Sequence, residues 1–347
     1  MKRLARIPGL KLWSLALLMG ATLGSCDGVL DEETEDCATY VSFKYDMNMK
    51  FADAFASSVK SVTLYAFKDG KLAFQKTEEG EPLKQPGYRM RVDEIRRGTQ
   101  HEYEFITWAG LADNENFTVP LLQPGATKEE LYCRLNRKEV SRADQTAVVD
   151  TDLEALFHGR VQAGASRATV NGEVVVPLTK NTNNIRIVLQ HMSGKPVNVE
   201  NFDFSITDEN GLMNYDNSLL EDEVLTYKAW RTDDGYAGLG DQVEQIEGVT
   251  EINVALAELT VARLMTTERP ILRITNKETG ENVLSIPLVD YALLVKGHYN
   301  RDMDDQEYLD RQDEYALTFF LDDNSQWVSS SIIINSWKVV LQNTDLN

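Results

Sequence analysis

Three cysteines and four histidines are the residues of this 347-residue chain with the most chemistry to offer. Cys26 closes the run Leu23-Gly24-Ser25-Cys26, where small residues lead into a single thiol, a pattern that suits covalent modification better than catalysis. Cys37 and Cys133 remain. In an exported protein they are either bridged, which constrains a long loop by about 4–5 kcal/mol in the loop-entropy model, or two buried free thiols. Spacing alone does not bring their Cα atoms within bridging distance. The histidines His101, His158, His191 and His298 are scattered, with no pair at i, i+4, so they do not read as a metal cluster. A nucleophilic pair of Cys133 with a histidine yields to the simpler reading of a structural cysteine. The chain contains no GxSxG, no P-loop and no GxGxxG after a strand. Carboxylates are so abundant that their pairing cannot mark a glycosidase site. Asp302, Asp304 and Asp305 begin an acidic cluster, but Glu307 stands where a calcium loop would need glycine. Asp322-Asp323-Asn324 reads as a turn between Phe320 and Trp327. The chain is therefore expected to be neither an enzyme nor a holder of cofactor or metal.

The thiol at Cys26 takes its meaning from what precedes it. Lys2, Arg3, Arg6 and Lys11 form a basic start with no acid before Asp27. The apolar run through Trp13, Leu15, Ala16, Leu17, Leu18 and Met19 is about a dozen residues, too short for the ~20 that span a bilayer. With Cys26 at its end, residues 1–25 resemble the leader of a bacterial lipoprotein. The cysteine sulfur would then receive diacylglycerol, and the amine freed by cleavage a further chain such as palmitate. Several acyl chains at ~0.8 kcal/mol per buried CH₂ make a durable anchor. Residues 26–37 follow as a tether with six acids between Asp27 and Asp36. So acidic a stretch cannot bury a core.

The full chain carries a net charge of −20; without the four early cations it has 31 basic against 55 acidic residues, −24. Such a surface repels phosphate backbones, which excludes general nucleic-acid binding. At 42% apolar and 9% aromatic, the chain is nonetheless too hydrophobic for a disordered acidic polymer.

Past the tether the pattern is β. Val41–Tyr45 alternates apolar and polar, and Val62, Leu64 and Ala66 continue the period of two into Asp69-Gly70, a hairpin signal. Tyr88-Met90-Val92 and Tyr103-Phe105-Thr107 are further strands, and Thr127-Lys128-Glu129-Glu130 fits a capping box opening a short helix through Leu135. Residues 139–152 lack pattern. A second block begins near Val174, with alternation at 185–189, 202–206, 271–274, 283–286, 315–319 and 332–336 and turns at Asn210-Gly211 and Thr279-Gly280. Short strands at such intervals argue for antiparallel β-sandwiches with one or two short helices. A loose repeat, Val59-x-x-Val62-x-Leu64-x-Ala66 and Val199-x-x-Phe202-x-Phe204-x-Ile206, each after an alternating strand, suggests two similar domains, 38–160 and 161–347.

Several stretches resemble the Bacteroidota fimbrial anchor lipoproteins of the FimB type, related to the minor-fimbria anchor. They are Cys37–Tyr45 behind the lipid cysteine, Val59–Phe67, Leu156-Phe157-His158-Gly159, Leu178–Ile185 and the terminal Ile334–Asn343. The resemblance implies two tandem transthyretin-like β-sandwich domains on an outer-membrane lipoprotein, displayed at the cell surface, that holds the base of a fimbria. It also implies a fimbrial stalk subunit as partner, joined through β-strand addition, in which main-chain bonds run along an open edge. The apolar candidate for such a donor strand or edge is the segment carrying Ile332, Ile334, Trp337, Val339 and Leu341, although a plain core strand is the favoured reading of it. Two other functions stay open: a fimbrial tip or surface adhesin of the same fold, and a glycan-binding surface lipoprotein. For the latter, Trp230 and Tyr236 in a polar loop are the suggestive aromatics.

Overall fold

Hydrophobic alternation becomes sheet across most of the described residues. The computed structural model describes residues 38–96, 98–138, 147–163, 169–170, 173–238, 251–297 and 300–340; Cys26, Cys37, His298 and Leu341 lie outside them. The first eleven strands are β1 (Ala38–Lys44), β2 (Ser61–Lys68), β3 (Lys71–Glu79), β4 (Met90–Arg96), β5 (Tyr103–Ala109), β6 (Phe117–Thr118), β7 (Tyr132–Leu135), β8 (Ala147–Val149), β9 (Phe157–Gln162), β10 (Thr169–Val170) and β11 (Glu173–Lys180). The rest are β12 (Thr182–His191), β13 (Phe202–Asp208), β14 (Leu212–Asn214), β15 (Leu225–Lys228), β16 (Arg231–Gly238), β17 (Glu251–Ala262), β18 (Ile271–Asn276), β19 (Asn282–Pro287), β20 (Glu314–Leu321), β21 (Trp327–Ile334) and β22 (Trp337–Val340). Three short helices accompany them: α1 (Phe55–Ser58), α2 (Leu288–Leu294) and α3 (Asp305–Arg311).

In the first half, the strands run β3-β2-β5-β9-β11-β1-β4. Two leaves are joined by β11, whose Val174–Pro177 pair with β1 and whose Leu178–Lys180 pair with β9. The strand changes leaf at Pro177, where the missing N–H interrupts a ladder. Val41, Phe43, Val62, Leu64, Met90, Phe105 and Val176 fill the space between the leaves. The Asp69-Gly70 signal is fulfilled: both residues have positive φ, 51° and 73°, and β2 folds back on β3.

In the second half, a six-stranded sheet, β16-β17-β12-β20-β21-β22, faces a five-stranded one, β19-β18-β13-β15-β8. Ile185, Ile187 and Leu189 from one meet Phe204, Ile206 and Leu272 from the other. Each half opens on a strand paired in parallel with a later strand, β1 with β11 and β12 with β20. The parallel pairs make the sheets mixed where antiparallel sandwiches were expected.

Four expectations change in detail. The pairing does not follow a boundary at residue 160: β10 and β11, assigned to the second domain, pair within the first sheet, while β8, assigned to the first, pairs with β15 in the second half. The helix expected from Thr127 is a single 3-10 turn, Lys128–Glu130. Its capping box is formed, with Thr127 N donating to Glu130 Oε1 at 2.8 Å. The chain then extends because Tyr132–Leu135 alternate exposed and buried and pair with β6 and β14. Asn210-Gly211 closes no hairpin, because β14 leaves its own half to pair with β7. Finally, the described residues hold three short helices, α1, α2 and α3, where one or two were expected, and none of them is the helix expected from Thr127. Asp304 caps α3 by accepting from Glu307 N at 2.7 Å, which explains part of the acidic cluster.

Candidate assembly edge and domain seam

The C-terminal hairpins are built from two turns. Asp322 Oδ1 accepts from the backbone N of Asn324 and Gln326, both at 2.9 Å, so the expected turn joins β20 to β21. Between β21 and β22, Asn335 and Ser336 have φ of 47° and 71°, conformations that Asn tolerates better than most residues. Asn335 locks this turn to β20: its N donates to Ala316 O at 2.9 Å and its Oδ1 accepts from Ala316 N at 2.7 Å.

Along this frame, Ile332 and Ile334 are completely buried and stand opposite Phe319 and Leu317 of β20. They belong to the core. On their other side, Val339 stands opposite Ile332 and Trp337 opposite Ile334 in register. Among the described residues β22 pairs with β21 alone and ends the six-stranded sheet. Of the named candidates, the structure thus makes Ile332 and Ile334 inner residues and puts Trp337 and Val339 on the outermost strand.

The other long sheet edges differ in kind, while the three-residue β8, an edge without charge, has Val148 bridged to Lys138 on its outer side. β3, β4 and β16 carry several charges each, as edges do when association is to be avoided. β19 ends in Pro287 and runs directly into α2. β22 holds a single charge, Lys338.

A second concentration of polar groups lies where the halves join, and sequence reasoning did not single it out as a site. Asn181, the residue between β11 and β12, donates from Nδ2 to Asn217 Oδ1 at 2.6 Å and receives Asn217 Nδ2 at 3.1 Å. Arg263 donates from Nη1 to Asn217 O at 2.7 Å and forms a two-pronged pair with Asp310 at 2.8 and 2.7 Å. Asn210 is fully buried, accepting Tyr227 OH at 2.5 Å and donating to the carbonyls of Ala262 and Arg263. Arg137 reaches from the first half to Asp222 of the second at 2.6 Å. His158 packs edge-on against Trp108 and bonds through Nε2 to Tyr215 O at 2.8 Å. A carbonyl can only accept, so Nε2 carries the proton, and burial lowers the imidazole to about 4. The signals for this seam were the Leu156–Gly159 and Leu178–Ile185 stretches, whose polar residues His158, Asn181 and Asn183 are buried.

Cys133 has a free, fully buried thiol in the larger core, raised far above its usual range by burial. Its expected partner Cys37 lies outside the described residues. His101 is exposed and His191 buried. Among the described residues no group of three or more His, Cys, Asp and Glu is placed to hold a metal ion. No helix among them is long and apolar enough to cross a membrane. The polar loop expected at 230–240 is in large part strand β16, paired with β17, and Trp230 is half-buried just before it.

Comparison with known proteins gives this geometry a context. The family of fimbrillin-A associated anchor proteins Mfa1 and Mfa2 matches over residues 33–343. A candidate adhesin from Bacteroides thetaiotaomicron is 34% identical, with a TM-score of 0.74 over 88% of this chain and 97% of its own. A candidate polysaccharide-binding protein of the same organism is 30% identical, with a TM-score of 0.72 over 89% and 99%. The fimbrial anchor protein Mfa2 from Porphyromonas gingivalis, at 16% identity, shares the fold with a TM-score of 0.60 over 88% and 99%. No curated protein sequence matches the chain.

Proposed function

The chain belongs to the fimbrillin-A associated anchor protein family, and from that premise we propose that it is an outer-membrane lipoprotein holding the base of a fimbria. Cys26 is the acylated residue, the acidic segment 27–36 spaces the body from the membrane, and a stalk subunit adds its strand alongside β22. The observation that carries this reading is the position of β22. It is the outermost strand of the largest sheet in the second half, in the last part of the chain, and it bears one charge where β3, β4 and β16 bear several. Its outer row of N–H and C=O groups, unpaired among the described residues, offers main-chain bonds to an incoming strand, and alternate side chains give specificity.

Deleting the gene in its host and viewing fimbriae by electron microscopy tests anchoring. Fimbriae shed into the medium, or altered in length, are expected; normal attachment and length would count against the role. Cys26→Ala is expected to release the protein from the outer-membrane fraction, and continued retention there would sink the lipid anchor.

A second reading, a tip or surface adhesin of the same fold, is favoured by the two relatives from Bacteroides thetaiotaomicron. A lipid retained at Cys26 favours the base over a distal tip. Detection of the protein at fimbrial ends by immunogold labelling would turn the balance to the adhesin.

A further inference from the structure

We propose that the outward face of the six-stranded sheet carries a binding groove for a short neutral oligosaccharide, a function that does not rest on anchoring. The alternation of β12 puts Ile185 and Ile187 into the core and leaves Asn184 and Arg186 exposed on the opposite face. Register extends that face sideways. Thr260, Asn184 and Glu314 form one row across β17, β12 and β20, and Glu258, Arg186 and Ala316 form the next. Trp230 flanks the β17 side and the Asn335-Ser336 turn the β20 side of a depression of about 620 Å³. That size is typical of small-molecule sites, roughly 300–1,000 Å³.

The chemistry of the lining narrows the ligand. Arg186 donates from Nε and Nη2 to Glu258 Oε1 at 3.0 and 2.7 Å, so the two charges largely cancel. Thr260 Oγ1 donates to Asp152 Oδ1 at 2.8 Å, which leaves that carboxylate capacity to accept further bonds. Asn184 offers an exposed amide with both donor and acceptor, the functionality that matches adjacent sugar hydroxyls. Trp230 is half-buried and lines the depression, where an indole can offer an apolar surface to the C–H side of a sugar ring. Glu258 is compensated by Arg186 and by Arg231 at 3.6 Å, which leaves the carboxylates of Asp152 and Glu314 in the groove on a chain of net charge −20. Sialylated and sulfated sugars are therefore repelled and neutral ones admitted.

The test uses the purified full-length lipoprotein in detergent on a printed array of neutral hexose oligosaccharides and their sialylated and sulfated counterparts. Retention on neutral oligosaccharides and exclusion from the acidic forms is expected. Trp230→Ala should weaken retention by about tenfold or more, as loss of an aromatic anchor does. Because Trp230 also packs, Asn184→Ala is the second variant: its side chain is exposed, so unfolding should be unchanged while binding drops roughly three- to tenfold. Absence of neutral-glycan binding, binding of acidic glycans only, or undiminished binding by Asn184→Ala with Trp230→Ala either undiminished or unfolded would each overturn the proposal. Normal fimbrial attachment in an Asn184→Ala strain would separate this function from anchoring.

Discussion

Asn181 and Asn217 exchange two side-chain hydrogen bonds, at 2.6 and 3.1 Å, in the buried seam between the halves of the molecule. Asn181 is the link from the first sheet system to the second. Asn217 follows β14, the strand that crosses to β7, and it sits at a φ of 68°. The pair therefore holds together the chain link and the cross-half strand pairing. One continuous core, from Tyr65 and Trp108 through Cys133 and Met213 to Ile187 and Phe319, surrounds it.

Removing one partner strands the other in a place water does not reach. Asn181→Ala should cost about 1–3 kcal/mol in chemical denaturation. Asn217→Gly keeps the positive φ and should cost less, because the backbone relaxes as the amide is lost. The double variant is expected to lose less than the sum of the two, and strict additivity would show that the pair is not a coupled unit.

Gly159 stands opposite Leu178 at the strand that changes leaf. A Cβ there would lie 2.6 Å from Pro177 O and 2.7 Å from the side chains of Val176 and Leu178. Since Pro177 is backbone in a fixed ladder, it cannot simply rotate away. Gly159→Ala should destabilise by roughly 1–3 kcal/mol, read as a lower denaturation midpoint at unchanged slope.

Two buried groups give stability opposite pH dependences. Burial raises Asp208 to about 7, and its Oδ2 has no partner. Its folded value lies above the unfolded one near 3.8, so its contribution is complete below pH 4 and lost as pH rises towards 7. His158, lowered to about 4 from 6.5, contributes above pH 6.5 and loses that contribution as pH falls to 4. Between pH 4 and 6.5 the two oppose each other. Asp208→Asn should gain stability at pH 8 relative to the parent, on the order of 4 kcal/mol at most, and should lose stability on acidification more steeply. Parallel pH profiles for parent and variant would contradict this.

Cys133 is expected to be silent towards iodoacetamide in the folded protein, since the thiol is both inaccessible and held protonated by burial. Unfolding without reductant should expose it to alkylation. Failure to alkylate until reductant is added would instead reveal a bridge, with Cys37 as the partner expected from sequence.

Truncation after Ser336 removes β22 with the residues that follow. The shortened lipoprotein should stay in the membrane fraction and lose its hold on fimbriae. Retained attachment would move the contact to another edge.

Much of this molecule was legible because strand alternation is local. The period of two at 41–45, 185–189 and 202–206 identified β1, β12 and β13, and Asp69-Gly70 identified a hairpin, because turn chemistry is written in two residues. The lipid-type cysteine and acidic tether were likewise readable as an ordered run of charge, apolar length, small residues and thiol, and they remain sequence-based proposals. What two residues cannot record is the partner a strand will take. The same turn signal at Asn210-Gly211 gave no hairpin, since β14 found β7 in the other half. Alternation in Tyr132–Leu135 outweighed a well-formed capping box beside it. The seam of Asn181, Asn217, Arg263 and Asp310 joins positions far apart in the chain, and the edge status of β22 depends on the order of six strands. Sequence determined which faces are apolar and where the chain turns. Only the tertiary structure decided which edges stay open and which polar groups are buried together, because both depend on long-range pairing.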